Sequence, residues 1–217
     1  MARPALDEAQ LQEQRDRLIA AGLALYRAGG YEAGTLRNLA AQLGMSHATP
    51  YRYFKSKDEL VAAIRTQVYT HFAEHLEKAD MPALPPLQRL RRICLGVVDF
   101  GRRFPDDYRL IFSLRQAPVG KYPPLQEVRE RALAYVIDIC REAINAGQLV
   151  GDATTWAHIA WSAMHGLLSL HVANLLVVGR DLDNLVEPLL HALLPGSEAP
   201  SATNANGQLA TVLRVGA

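Results

Sequence analysis

The chain has 217 residues, of which 49% are hydrophobic, and a formal net charge of +1 at pH 7. This composition allows a substantial core and excludes disorder over most of the chain. Runs of β-branched residues with period two are scarce, prolines cluster where helices would start, and no apolar run is long enough to cross a bilayer. The sequence therefore predicts an all-α protein without a membrane span. Because no apolar signal region opens the chain, we expect it in the cytoplasm.

The first predicted helix begins near Gln10 and ends at Gly29-Gly30. Its apolar side chains recur at helical spacing: Leu11, Leu18, Ile19, Leu25 and Tyr26. Arg15 and Arg17 could contact phosphate groups, but solvated charges on the open face of the helix are the favoured interpretation.

The strongest pattern begins at Thr35, a natural N-cap. Apolar side chains then recur at i, i+3, i+4 and i+7: Leu36, Leu39, Ala40 and Leu43. Gly44 follows and can adopt the left-handed conformation that ends a helix. Ser46 can cap a second helix over about residues 47–53. Helix, glycine turn and second helix at this spacing are typical of a helix-turn-helix, whose second helix enters the major groove of DNA.

The same stretch is locally basic. Arg37, Arg52, Lys55 and Lys57 have only Glu32 as a nearby acid, although the whole chain is almost neutral. This asymmetry is expected of a phosphate-binding surface on an otherwise balanced protein.

The motif lies within the run L-A-A-Q-L-G-M-S-H-A-T-P-Y-R-Y-F-K-S-K-D-E-L. It resembles the DNA-binding domain of the tetracycline-repressor (TetR) family of bacterial transcriptional regulators, most specifically from Tyr51 to Leu60. Pro50 departs from the family pattern, which usually has Leu there. Because proline lacks an N–H, we expect it to shorten the second helix by one hydrogen bond. The S-H-A-x-P-Y-R variant is familiar from a branch with a C-terminal Trp-His-Gly (WHG) domain.

The resemblance implies a three-helix DNA-binding domain over residues 1–56 and a helical ligand-binding and dimerisation domain over residues 57–195, with about nine helices in all. The implied function is a homodimeric repressor of a palindromic operator in double-stranded DNA, relieved by an unidentified, largely apolar small molecule. No cofactor is implied. The DNA-binding candidates are Thr35, Arg37, Ser46, His47, Ala48, Thr49, Tyr51, Arg52, Tyr53 and Lys57. For Tyr51, packing beneath the motif is an equally favoured alternative.

Ser56 and Glu59 predict a capping box at the start of the next helix, which continues to about Lys78. This helix leaves the motif and enters the second domain, so we expect its movement to transmit ligand binding to the DNA-binding domain. Further helices follow over about residues 87–100, from Pro105, and over residues 125–146. These helices would surround a chamber for the ligand. The candidate lining residues are Phe100, Phe104, Tyr108, Phe112, Tyr135, Trp161, Met164 and His165. For each of them, packing in the core is favoured over lining the chamber.

Residues 152–178 are apolar around nearly the whole circumference of a predicted helix, which must therefore be covered on every side. We expect a homodimer in which the helices near residues 153–178 and 182–194 form a four-helix bundle with their copies. Trp161, His165 and Gly166 match the Trp-His-Gly signature. Residues 196–217 are small and polar, and predict a disordered tail.

Two other classes of function are weaker. An α-helical metalloenzyme is disfavoured because His158, His165 and His171 are seven and six residues apart, whereas helical ligands of one ion lie at i, i+4. No metal site or catalytic residue is predicted. An interaction protein that kept the fold without operator binding is the other alternative. Cys94 and Cys140 form no paired motif, and two buried thiols are favoured over a redox switch.

Overall fold

The computed structural model describes residues 7–113 and 116–197. Within these ranges the regular structure is entirely helical, which confirms the all-α prediction. The α-helices are α1 (Glu8–Ala33), α2 (Leu36–Gln42), α3 (Lys57–Ala79), α4 (Pro86–Arg103), α5 (Pro105–Tyr108), α6 (Pro123–Asn145), α7 (Ala153–Val172) and α8 (Leu182–Leu193). A 3₁₀ helix spans Pro50–Arg52 and a π-helical turn spans Arg109–Ser113. Of the predicted tail, residues 198–217 lie outside the described ranges.

Local sequence signals fix where most of these helices begin and end. Proline is the first residue of α4, α5 and α6, where its missing N–H costs no helical bond. Helix α1 opens with a capping box between Asp7 and Gln10. It breaks at Gly30, whose φ of 71° and ψ of −170° lie outside the helical region, so the predicted end at Gly29-Gly30 is confirmed.

The capping box predicted at the start of α3 forms only in part. The hydroxyl of Ser56 accepts a hydrogen bond from the Glu59 N–H at 3.2 Å, as expected. The Glu59 carboxylate, however, accepts from the N–H of Lys55 at 2.8 Å and not from that of Ser56. It also lies 3.8 Å from the Arg15 guanidinium, which draws it away from the position that a full capping box requires.

Helix α3 is the central element of the core and packs against α1, α4 and α6. Its buried apolar side chains recur every four residues: Leu60, Ile64, Val68, Phe72 and Leu76. Gly22 lets α1 approach this stripe closely, because a Cβ at Gly22 would lie only 2.8 Å from Ile64 Cδ1. Helix α3 thus has buried residues from Leu60 to Leu76, along most of its length. The domain boundary at residue 56 stays a prediction.

Helix α7 ends six residues earlier than the apolar pattern predicts, at Val172. Asn174 adopts φ 55°, and the N–H groups of Asn174 and Leu175 bond to His171 O and Leu170 O. This is a Schellman ending with asparagine at the left-handed position, which asparagine tolerates better than most residues. Leu175, Val177 and Val178 are consequently exposed and not helical.

Cys94 and Cys140 are buried free thiols, which confirms the favoured interpretation. Burial raises the pKa of Cys94 to about 12 and that of Cys140 to about 11. Because the thiolate is the reactive form, both side chains are chemically protected at neutral pH. In the described part of the chain, no helix combines the length and the apolarity needed to span a membrane.

Candidate nucleic-acid interface

The first helix of the predicted helix-turn-helix forms as expected. Thr35 Oγ1 accepts a hydrogen bond from the Asn38 N–H at 3.1 Å and caps α2. Gly44 has φ 62°, and its N–H bonds to Ala41 O at 3.2 Å while that of Met45 bonds to Ala40 O at 2.9 Å. These two bonds complete a Schellman ending, which turns the chain towards the next segment.

The second predicted helix, over residues 47–53, is wrong as an α-helix. Within these residues the backbone bonds are Thr49 N to Ser46 O, Arg52 N to Thr49 O and Tyr53 N to Pro50 O, at 3.0–3.1 Å, all between residues three apart. A bond between residues four apart, from Phe54 N to Pro50 O at 3.0 Å, closes the end of the turn. Pro50 is the physical reason, because it has no N–H to donate to Ser46 O and cannot continue an α-helical ladder. A single turn has too few other bonds to compensate for that loss. We name residues 46–53 the recognition segment.

The recognition segment is anchored from its inner side. Pro50 and Phe54 are buried, and Arg15 Nη1 of α1 donates to the carbonyl of Tyr53 at 2.6 Å. The Arg15 guanidinium also lies 4.4 Å from the centroid of the Phe54 ring. Arg15 therefore holds the segment against α1, and its interpretation as a solvated charge is wrong. No local pattern could reveal this, because its partners are almost forty residues away in the chain.

The predicted DNA-binding residues differ in how far they reach solvent. The exposed ones are Arg37, Ser46, His47, Ala48, Tyr51 and Arg52, and the half-buried ones are Thr35, Thr49, Tyr53 and Lys57. Tyr51 has 58% of its surface exposed, so it does not pack beneath the motif. The hydroxyls of Ser46 and Thr49 share a hydrogen bond of 2.8 Å, which stiffens the start of the segment.

The surface around the recognition segment is positive. No Asp or Glu occurs between residues 35 and 57, and Arg37 and Arg52 are both exposed there. Lys57 Nζ lies 3.2 Å from Glu32 Oε2 and 4.1 Å from the centroid of the Tyr31 ring. Glu32 is itself almost fully solvated, at 89% side-chain exposure, so a phosphate group has only a weak surface ion pair to displace.

The predicted chamber of the second domain is occupied by an aromatic cluster. Edge-to-face contacts join Phe112 to Trp161 at 5.1 Å and Phe72 to Phe112 at 5.3 Å between ring centroids. Further ring contacts connect the remaining members, and we define the cluster as Phe72, Phe100, Phe104, Tyr108, Phe112, Trp161 and His165. The rings of Tyr69, His71 and His75, all on α3, flank this cluster. Phe72 lies near the centre of the cluster but is not among the residues predicted to line the chamber, because the apolar stripe of α3 indicates only a helix that faces the core.

A polar pair lies within the aromatic cluster. The Tyr108 hydroxyl and His165 Nδ1 are 2.6 Å apart, and Ser169 Oγ lies 3.3 Å from His165 Nε2. Burial raises the pKa of Tyr108 and lowers that of His165. Both groups are therefore neutral at pH 7.

Two predicted chamber residues lie elsewhere. Met164 lines, with Trp161, a cavity of about 20 Å³ that is bounded by α3, α4, α6 and α7. Tyr135 is directed to the far end of α3, where its hydroxyl donates to Asp80 Oδ2 at 2.7 Å beside the Asp80–Arg89 ion pair. Among the described residues no group of three His, Cys, Asp or Glu side chains could hold a metal ion, and His158 and His171 are exposed.

Residues 18–64 match the family profile described as bacterial regulatory proteins of the tetR family. Residues 90–193 match the profile described as the tetracyclin repressor-like C-terminal domain. The chain belongs to the TetR family. The membership expected from the motif around Tyr51–Leu60 is thus confirmed, and both halves of the chain support it. The WHG branch stays a prediction.

Curated relatives of this TetR-family chain are transcriptional repressors. It is 35% identical over 83 residues to the HTH-type transcriptional repressor KstR of Mycolicibacterium smegmatis, a match that spans 38% of this chain and 40% of KstR. The HTH-type transcriptional repressor NicS of Pseudomonas putida is 21% identical over 142 residues, 65% of this chain and 66% of NicS. The match to KstR thus spans less than half of that repressor's length.

Solved structures share the fold over most of the chain. A Rhodococcus protein of unknown function superposes with a TM-score of 0.73 at 25% identity, over 84% of this chain and 94% of its own. The regulator FadR of Bacillus subtilis, solved in complex with stearoyl-CoA, superposes with a TM-score of 0.67 at 19% identity, over 82% of this chain and 97% of its own.

Proposed function

We propose that this TetR-family chain is a homodimeric repressor that binds a two-fold symmetric operator and releases it when a small, largely apolar effector binds. The observation that carries the proposal is the recognition segment, an exposed surface that presents Tyr51 and Arg52 beside Arg37 with no acid between residues 35 and 57. Exposed arginines on a positive surface supply both phosphate attraction and base contacts.

The side chains divide between two roles in this proposal. Thr35, Tyr53 and Lys57 are half-buried at the edges of the surface, and we assign them to phosphates, which set the register of the protein on DNA. The candidates for base edges are Arg37, His47, Thr49, Tyr51 and Arg52. Ser46 and Ala48 are exposed between them and line the same surface.

The function is tested by selecting random duplex DNA on the purified protein at about 0.15 M salt and sequencing what is retained. A dimer places two recognition segments about one DNA turn, or a small multiple of it, apart. We therefore expect the retained sequences to share a palindromic or near-palindromic motif. Retention without a shared motif would contradict operator recognition and favour a non-specific basic surface.

The dimer is supported by an uncovered apolar face on α7 and α8. Ile159 and Leu170 are 42% and 43% exposed, and they lie on the same side of α7 as the exposed Gly166. On α8, three leucines are only half-buried: Leu185, Leu189 and Leu193. Two such helix pairs would cover each other in a four-helix bundle related by a two-fold axis.

Replacing Gly166 with arginine should convert the dimer to a monomer. A Cβ at Gly166 has no neighbour within 4 Å, so the protomer itself has room for the side chain, whereas a packed interface does not. Sedimentation velocity measures the change, and the midpoint of thermal unfolding, Tm, checks folding. The matched control is Ala134→Arg, at an exposed position of α6. A Gly166→Arg protein that remained dimeric would place the interface elsewhere.

The aromatic cluster is the site that we infer for the effector. It is connected to α3 through the π-helical turn, because Arg65 Nε donates to Leu110 O and the Tyr69 hydroxyl donates to Ile111 O, both at 3.1 Å. A ligand that displaced Phe112 or Tyr108 would shift this turn and with it α3, which begins four residues after the recognition segment ends. The ligand changes DNA affinity only by its preference for one of the two states.

A largely apolar effector fits the rings that line this site. Stearoyl-CoA, the ligand of the solved Bacillus subtilis FadR, carries a long apolar chain, and that protein shares the fold. Tyr108 and His165 would supply the polar contacts in this chain, as a hydroxyl and a neutral imidazole.

A further inference from the structure

A groove of about 400 Å³ lies between the last turns of α3 and helix α4. We name it the α3–α4 groove. The polar side chains that line it are those of His75, Lys78, Arg92, Asp99 and Arg103. Its volume is within the range of sites for small ligands. It adjoins the aromatic cluster, because the His75 ring that lines it lies 5.5 Å from the Phe100 ring between centroids, but it is remote from the recognition segment.

The charges of this groove are unbalanced. Asp99, the one carboxylate among the described residues that line it, is shared between Arg103 at 3.4 Å and His75 at 3.1 Å. Lys78 and Arg92 pair with no carboxylate in the described part of the chain. Burial lowers the pKa of His75 despite the neighbouring Asp99, so the positive charge at neutral pH comes from Lys78, Arg92 and Arg103.

Among the arginines that the structure describes in residues 57–195, those with an acidic partner outnumber those without one, such as Arg92 and Arg129. Most other arginines there pair with an acidic side chain: Arg89 with Asp80, Arg91 with Glu187, Arg102 with Asp183, Arg109 with Asp106, Arg131 with Glu77 and Arg141 with Asp138. Arg92 is half-buried. A cation in such a position without a counterion is energetically costly, because it has lost part of its hydration without gaining a partner. An anion that entered the groove would remove that cost.

We propose that the α3–α4 groove binds a small phosphate-bearing anion, of the size of pyrophosphate or a nucleotide. Arg92 is held in place by the bond from its Nε to Ala79 O at 2.8 Å, which leaves its two terminal nitrogens to donate to phosphate oxygens. Lys78 is exposed at the rim and adds a mobile point charge. Leu95 supplies an apolar wall for the body of a nucleotide.

Operator DNA is not the anion that we propose for the α3–α4 groove. Lys57 is the first residue of α3 and Lys78 is close to its last. At 1.5 Å per residue the two positions are about 30 Å apart along the helix. A duplex seated on the recognition segment of the same protomer is therefore remote from the groove, and the ligand must be a separate, diffusible molecule.

The experiment is isothermal titration calorimetry of the full chain, without divalent cations, using pyrophosphate, ATP and adenosine in turn. We expect saturable binding of the two phosphate compounds and none of adenosine. Lys78→Gln should weaken that binding about tenfold, because it removes one charge-assisted contact. Arg141→Gln is the control, since it removes the same charge from an exposed residue of α6, and should leave the affinity within about twofold.

Each result has one meaning. Equal binding of pyrophosphate and ATP supports the proposal with phosphate as the recognised group, and binding of ATP alone supports it with a contribution from the base. The proposal is overturned if neither compound saturates by about 10 mM, if adenosine binds as well as ATP, or if Arg141→Gln weakens binding as much as Lys78→Gln does. Because Lys78 is exposed, the variant should retain the Tm of the unmodified chain.

Discussion

Replacing Arg52 with alanine should weaken binding to the selected operator by about tenfold to a hundredfold per half-site and relax the preference at one base pair. Arg52 is exposed at the end of the 3₁₀ helix, and arginine donating to guanine is the commonest specific contact in the major groove. Fluorescence anisotropy on the operator and on a set of single-base variants measures both effects. Loss of affinity that is equal for every sequence would assign Arg52 to phosphate instead.

Lys57→Ala is the comparison that separates the two roles. Because phosphates carry no sequence information, this variant should weaken binding to all sequences alike and reduce the slope of log affinity against log salt by about one per contact. The Arg141→Ala variant, which removes a positive charge from α6, controls for net charge. Full affinity in the Lys57 variant would remove this lysine from the phosphate contacts and leave it with its partner Glu32.

Replacing Arg27 with alanine should destabilise the protein by about 2–3 kcal/mol, since it leaves the Asp107 carboxylate buried without its partner. Arg27 Nε and one terminal nitrogen donate to Asp107 at 2.8 and 2.6 Å, although the residues are eighty positions apart. Asp107 has 2% of its side chain exposed and Arg27 has 48%, so solvent screening keeps the cost below that of a fully buried pair. For a chain of this length Tm should fall by roughly 4–12 °C.

The asymmetry of the pair provides the controls. Asp107→Asn should cost less than Arg27→Ala, because the half-exposed arginine that remains can be hydrated. Arg102→Ala, which breaks the exposed Arg102–Asp183 pair, should change the stability by less than about 1 kcal/mol. Equal losses in the Arg27 and Arg102 variants, measured by urea unfolding, would show that burial of Asp107 does not decide the energetics.

The Arg27–Asp107 bond also ties α1 to α5, which leads into the π-helical turn. Together with the bonds from Arg65 and Tyr69 to that turn, it connects the proposed effector site to α1 and α3, the helices on either side of the recognition segment in the chain. None of these three contacts follows from a motif, because each joins residues more than forty positions apart on different helices.

Pro50 has a larger effect on the backbone than the loss of one hydrogen bond predicts. The missing N–H was expected to remove one bond from an α-helix, but the structure replaces the whole turn with a 3₁₀ helix. Tyr51 and Arg52 are still exposed on that turn, so they remain accessible to DNA, and their contacts with DNA stay a prediction. The aromatic character of Tyr135 predicted a position in the chamber wall. Its hydroxyl instead donates to Asp80 at the end of α3.

By itself the sequence determined the features that depend on neighbours three to five residues away. Thr35 and Gly44 set the two ends of α2, prolines begin three later helices, and the charge of residues 35–57 follows from composition alone. Only the tertiary structure decided that Arg15 clamps the recognition segment, that Phe72 completes the aromatic cluster and that Lys78 and Arg92 face one groove. The physical reason is that caps and turns are closed by hydrogen bonds within the local backbone, whereas these contacts depend on how whole helices pack.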